Sequence, residues 1–348
     1  MIDTSGFKAN RSYFAAANGY KGFRSLFGEI FNSEGLDRLF ILKGGPGTGK
    51  STILKGAIAY AARRGYDTEA IYCSSDPKSL DGAIVSHRSK RIAVIDGTAP
   101  HERDAIFPGA VDEIINLADS FDNAALSADR YAIIALAKEK SAAYKSAYAR
   151  LAAAGKVAEC IRDNYTNNEI YSEAETKAGR LAQGVASSCN RGFKRAISSA
   201  FGASGYTKLK LEHREKKREI TVSNDSFEAQ IIMRSLLEKL QSKGAVCELH
   251  ISPFAADEYE AIVTDEAVFT APLFPLSTTS LSNESLSEDI TTLLQIHGEF
   301  MKLAENMLKK ASERHFALEE IYTKAVDFKS NERLFERIIG SIDSILGG

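Results

Sequence analysis

Residues 41–55 read ILKGGPGTGKSTILK, and the fold turns on how that stretch is read. An apolar lead, RLFIL at 38–42, runs directly into Gly44-Gly45-Pro46-Gly47-Thr48-Gly49-Lys50-Ser51. This matches G-x-x-x-x-G-K-[ST] at every fixed place. A loop that wraps a polyphosphate must aim successive backbone N–H groups inward, through dihedrals closed to most residues. It must also approach the anion closely, which side chains would prevent. Ile53, Leu54, Ala57, Ile58 and Ala61 then recur at helical spacing, and Arg63, Arg64 and Gly65 mark a helix stop. Strand, loop and helix stand in the order that puts a helix N-terminus under an anion. The pattern makes Gly44 through Thr52 the nucleotide-binding stretch. Lys50 is expected to reach the β- and γ-phosphates as a solvent-facing loop charge, Ser51 to ligate Mg²⁺, and Thr52 to face the α-phosphate.

Such a site needs a carboxylate at the end of a neighbouring strand. RIAVIDGTAPH, 91–101, offers Ile92–Ile95 as a buried strand of the parallel kind, ending at Asp96. Asp96 is therefore expected beside the metal. Gly97 follows it, where many P-loop ATPases carry a water-activating Glu. The base is sought instead in CSSDPKSLDG, at Asp76 or Asp81, or among His101, Glu102 and Asp104. Thr98 is a candidate phosphate sensor, and Arg88 and Arg103 are candidate cations for transferred charge. For each of these outer residues the plain alternative is a loop, cap or surface role.

The 348 residues suggest about two domains, and 44% hydrophobic content is enough for a sizeable core. A formal net charge of −2 gives no global attraction to nucleic acid or anionic membrane. The four cysteines form no CxxC pair, and no apolar run is long enough to span a bilayer. These features, with no signal-peptide pattern at the N-terminus, lead us to expect a cytoplasmic protein.

Beyond residue 116 the chain turns rich in Ala, Lys and Glu, predicting a long helix to 165 and a second over 168–186. A worn internal repeat emerges when Lys50 is laid over Ala229. Ser51 then falls on Gln230, Gly49 on Glu228 and Gly65 on Gly244, and with a seven-residue shortening TAP at 98–100 meets TAP at 270–272 and Asp96 meets Val268. The expected fold is α/β: a three-layer P-loop NTPase with a parallel sheet, duplicated, each half carrying an added α-helical hairpin. The expected domains are 1–185, active, with its hairpin at about 117–185, and 186–348, degenerate, with its hairpin at about 295–348. STTSLSNESLS at 277–287 reads as a loop, and KLKLEHREKKREI at 208–220 as a solvated edge.

On FILKGGPGTGKST, CSSDPKSLDG, IAVIDGTAPH and PGAVDEIINL, the chain resembles a group of bacterial P-loop ATPase-like proteins with two tandem P-loop domains. The resemblance implies ATP or GTP binding; the lack of an N-K-x-D tetrapeptide favours ATP. A second phosphate loop can occur in that group, and this sequence departs from it. The expectation is a Mg²⁺-dependent ATPase with Lys50 and Asp96 in the catalytic set and a regulatory or structural second half. The hairpins are a candidate docking surface for a protein partner. The alternatives are an ATP-sensing switch without turnover, motivated by Gly97, and a small-molecule or nucleotide kinase using the 73–82 loop for its acceptor.

Overall fold

The structure is a computed structural model describing residues 2–186, 192–210, 217–274 and 287–347. It is mixed α/β, with two sheets that contain parallel strands and, among the described residues, eight α-helices. The first half opens with β1 (Arg11–Phe14), a hairpin of β2 (Ala16–Gly19) and β3 (Gly22–Ser25), and a short α1 (Phe27–Ile30). It continues through β4 (Arg38–Lys43), α2 (Lys50–Arg63), β5 (Asp67–Tyr72), β6 (Leu80–His87), β7 (Lys90–Asp96) and β8 (Asp112–Asn116). The short α3 (Asn123–Ala128) precedes the long α4 (Arg130–Tyr165) and α5 (Asn168–Gln183).

Leu39 to Leu42 of β4 are wholly buried, as a central strand covered on both faces requires. The α2 helix stops as its sequence predicts. Gly65 takes φ +72°, and the Tyr66 N–H closes back on the Ala61 carbonyl at 3.1 Å, satisfying a terminal acceptor.

The sheet order is β1-β5-β6-β7-β4-β8, and the expectation of a parallel sheet needs correction. β6 runs antiparallel to both β5 and β7, while the other pairings are parallel. Only two residues, Arg88 and Ser89, join β6 to β7, and a turn that short connects only antiparallel neighbours. The three-layer expectation holds on one face alone. There α2 and the last helix of the chain cover Phe40, Leu42, Val85 and Val94. Among the described residues the other face carries no long helix; Phe27, Phe31 and Leu36, from α1 and the turn after it, cover Leu39, Ile41 and Ile95.

The second half comprises β9 (Gly192–Ala196), a hairpin of β10 (Ser199–Gly202) and β11 (Gly205–Lys208), β12 (Arg218–Thr221) and α6 (Ser226–Ser242). β13 (Val246–Ile251), β14 (Tyr259–Val263), β15 (Ala267–Thr270), α7 (Glu288–Lys324) and α8 (Phe328–Leu346) complete it. Its sheet, β12-β15-β14-β13-β9, repeats the order and directions of β4-β7-β6-β5-β1. Even the irregularity recurs, between Ile71 and Tyr72 in one sheet and between His250 and Ile251 in the other. The predicted loop at 277–287 lies outside the described residues except for Ser287, and the charged run at 208–220 is described only at its two ends.

The halves meet through exchanged helices. α4 and α7 pack along each other through Ala147, Leu151 and Ala154 against Met301, Ala304 and Leu308. The α5 stripe Ala174–Ala178–Ala182 packs on α6 of the second half. Reciprocally, Phe335, Ile338, Ile339 and Ile342 of α8 pack on α2 of the first half, at the i, i+3, i+4, i+7 spacing of an amphipathic helix.

Candidate functional site

The parallel strands β4 and β7 are adjacent, with Leu42 opposite Asp96, so their carboxyl ends deliver the glycine-rich loop and the carboxylate side by side. The Lys50 ammonium donates to the Gly44 carbonyl at 3.0 Å and the Gly45 carbonyl at 2.7 Å, and lies 3.6 Å from Asp96 Oδ2. Lys50 is only 9% exposed, which corrects the expectation of a solvent-facing charge. As the first residue of α2 it folds back under its own loop. Asp96 Oδ1 accepts hydrogen bonds from the Thr98 N–H at 2.9 Å and the Thr98 hydroxyl at 2.5 Å. Burial raises the Asp96 pKa, while Lys50 and Thr98 pull it back. Ser51 Oγ accepts the Leu80 N–H at 3.0 Å, tying the start of α2 to β6. Gly49, directly before the helix, takes φ +83°, a left-handed conformation natural to glycine.

A cavity of about 860 Å³ opens from this loop, within the size range of small-molecule sites. Asp76, Asp81, Thr98 and His101 line it. Asp81 belongs to β6, not to a loop, and its Oδ2 lies 3.1 Å from His101 Nε2, both side chains buried. The His101 ring stacks on Phe27 at 4.1 Å. Burial drives the pKa of the neighbouring Cys73 thiol well up, so it is held as a neutral thiol.

Other sequence candidates lie elsewhere. Asp104 is exposed and pairs with Lys43 at 3.2 Å. Glu102 is exposed and does not line the cavity. Arg103 donates to Ser33 Oγ at 2.7 Å, in a network with Asp112. Arg88 sits in the β6–β7 turn, at the opposite end of β7 from Asp96.

The sequence reading missed every residue that closes the site from outside the first sheet. Lys140, Tyr144 and Tyr148 of α4 line the cavity, as do His315, Phe316 and Glu319 of α7. The second half touches the loop directly. Thr323 Oγ1 donates to the Gly47 carbonyl at 3.3 Å, and Asn331 Nδ2 of α8 donates to the Thr48 carbonyl at 2.8 Å. Gly47 takes φ +70°, and a Cβ there would lie 2.5 Å from Thr323 Oγ1 and 2.7 Å from the Glu319 carbonyl. Burial raises the Glu319 pKa, opposed by the Gly47 amide that faces the carboxylate. Burial, with Lys140 and Lys50 nearby, pushes His315 down to about 4, so its ring is neutral at pH 7. One signal was readable: Asn331 is a polar residue in the buried stripe of an otherwise apolar helix face.

In the second half the corresponding place is differently built. Gln230, at the position matched to Ser51, accepts the Tyr259 N–H at 2.8 Å, the same tie that Ser51 makes with Leu80. In place of a glycine loop, Asp225 caps α6, accepting the Phe227 and Glu228 N–H groups, each at 2.9 Å, through one oxygen, while its other oxygen accepts from the Tyr165 hydroxyl. The strand register also moves the match of Asp96 away from Val268: pairing with β12 puts Thr270 at its place, and pairing with β14 puts Ala271 there. No family model, curated protein or solved structure matches the chain.

Proposed function

We propose that the chain is a duplicated P-loop protein whose first half binds and hydrolyses Mg–ATP, with the second half as a structural and regulatory partner. One observation carries this reading: the Lys50 ammonium lies 3.6 Å from Asp96 at the paired carboxyl ends of β4 and β7, directly under a left-handed glycine loop. Loop amides and the α2 N-terminus would hold the phosphates. On binding, Lys50 would exchange its loop carbonyls for β- and γ-phosphate oxygens.

Mg²⁺ takes hard oxygen ligands, often only one or two from protein when phosphates and waters supply the rest. Ser51 and Asp96 fit that role, and among the described residues no cluster of three or more His, Cys, Asp or Glu competes for a metal. The cation would neutralise charge on the phosphates. Thr98 holds Asp96 in place by occupying Oδ1, which leaves Oδ2 facing the loop. Asp76, Asp81 and Glu319 are the acids within the cavity that could orient an attacking water.

The test is saturable binding of Mg–ATP, with Mg–GTP as competitor, and phosphate release compared between wild type and Lys50→Ala. Absence of binding ends the proposal. Binding with equal background release in both proteins converts it to an ATP-sensing switch.

The buried Asp81–His101 pair favours a second reading, transfer to a small-molecule hydroxyl. A base oriented by a second group, inside a cavity with room beside the loop, suits that chemistry. Under this reading phosphate release stays slow until an acceptor is added, and Asp81→Asn abolishes the acceleration without changing ATP affinity.

No helix among the described residues is long and apolar enough to cross a membrane. We place the protein in the cytoplasm on its composition, with the α4–α7 pair as the surface for any protein partner.

A further inference from the structure

The long helix α4 lies outside the first sheet, yet one stripe of it faces the cavity. Lys140, Tyr144 and Tyr148 stand one helical turn apart and share a face. Two of the three are pinned. The Tyr144 hydroxyl donates to Ser75 Oγ at 3.1 Å, in the loop after β5, and the Tyr148 hydroxyl donates to Asn18 Oδ1 at 3.0 Å. Lys140 sits four residues from Tyr144, about 6 Å by helix rise, and lines the same cavity as the glycine loop.

Lys140 is uncompensated. Its neighbour Glu139 reaches across to Arg314 at 2.5 Å, but among the described residues no carboxylate pairs with Lys140. Burial and the Lys50 ammonium both press the Lys140 pKa down. A half-buried cation facing a second cation is costly unless an anion joins them. Lys50 has Asp96 and two loop carbonyls; among the described residues Lys140 has nothing equivalent. A polyphosphate on the loop would compensate both. The loop amides would hold the inner phosphates, which leaves the outermost one to the cavity lining that α4 and α7 supply.

We propose that Lys140 is a second phosphate-binding cation of this site, brought by α4 onto the terminal phosphate of a bound nucleoside triphosphate. This rests on the nucleotide reading of the Gly44–Ser51 loop. Lys140 would tie α4, and through it α7, to the presence of the third phosphate, so that triphosphate and diphosphate are distinguished by a group outside the nucleotide sheet.

Equilibrium titration of the full chain with Mg–ATP and Mg–ADP tests it, using wild type, Lys140→Met, Lys140→Gln and Lys140→Arg. Removing a charge-assisted contact should weaken ATP binding by Lys140→Met about tenfold or more. ADP affinity should change less than about twofold, and Lys140→Arg should keep ATP within about threefold of wild type. Equal losses for ATP and ADP, or no loss for either, overturn the inference and leave the loop reading standing. Wild type that binds neither nucleotide overturns both. The unfolding temperature of each variant separates a lost contact from a lost fold; should Lys140→Met unfold, Lys140→Gln is judged by the same criteria.

Discussion

The stretch before α2 and the stretch before α6 occupy matching places in sheets of the same order and direction, and they do opposite things with a helix N-terminus. Before α2 the cap is a left-handed glycine with no side-chain hydrogen bond, and the amides are left for something else. Before α6 the Asp225 carboxylate takes those amides for itself. The Ser51–Leu80 and Gln230–Tyr259 ties are alike, so the contacts that dock helix to strand persist where the glycine loop does not. The comparison shows that the docking of the helix and the chemistry of its N-terminus reside in different residues, only a few positions apart.

The largest effect that would break this contrast lies at Lys50. Lys50→Ala should reduce Mg–ATP affinity by about 100-fold or more, in line with the loss of a buried charge-assisted contact to phosphate. Because it also leaves Asp96 buried without its cation, the unfolding temperature should fall as well, which calorimetry would detect; a fully stable variant would show that the pair is not coupled. Next, Gln230→Ala removes two hydrogen bonds to the backbone of Tyr259 from a residue 3% exposed, accepting from its N–H and donating to its carbonyl. Denaturant unfolding should report a loss of about 2 kcal/mol with ATP binding unchanged. If ATP binding falls too, the two halves are more tightly linked than the contrast implies.

Glu258 provides a pH probe at the place matched to Ser79. Burial, aided by Asp257, pushes its pKa from 4.5 up to about 7. The folded state thus favours the neutral acid. Its contribution to stability is fully present below pH 4.5 and is lost as pH rises through 7, with a slope of at most about 1.4 kcal/mol per pH unit. Glu258→Gln should flatten that part of a pH–stability curve; an unaltered curve refutes the assignment. The smallest change is expected from Asp225→Ala, which removes the α6 cap and should cost about 1 kcal/mol. If the variant instead gained measurable affinity for inorganic phosphate, the second helix end would prove to be a suppressed anion site.

The chain itself made the site's centre readable. Loop, strand, helix stop and Asp96 are local patterns, each set by neighbours in sequence, and the structure places Asp96 3.6 Å from the Lys50 ammonium. The antiparallel β6 was not readable, because its turn is Arg88–Ser89, with Arg88 at φ +54° and none of the Asn-Gly or Asp-Gly chemistry that marks a hairpin. Lys140 and Glu319 were hidden for another reason. They line the cavity from helices far along the chain, and nothing within α4 or α7 says which surface each will cover, whereas Asn331 left only the trace of a polar residue in an apolar stripe. The TAP match misled by resemblance, since strand pairing rather than letter identity decides which residue stands opposite which.

The exchange of α5 and α8 between the halves also shapes how this protein must be made. The surface of α2 that α8 covers emerges from the ribosome early, and its cover emerges only when residues 328–346 have been translated. Until then the part of the α2 face that α8 covers is sheltered only by the N-terminal residues Ile2, Phe7 and Ala9 that pack beside it. Neither half expressed alone should remain monodisperse, because each then exposes the apolar face its exchanged helix covers.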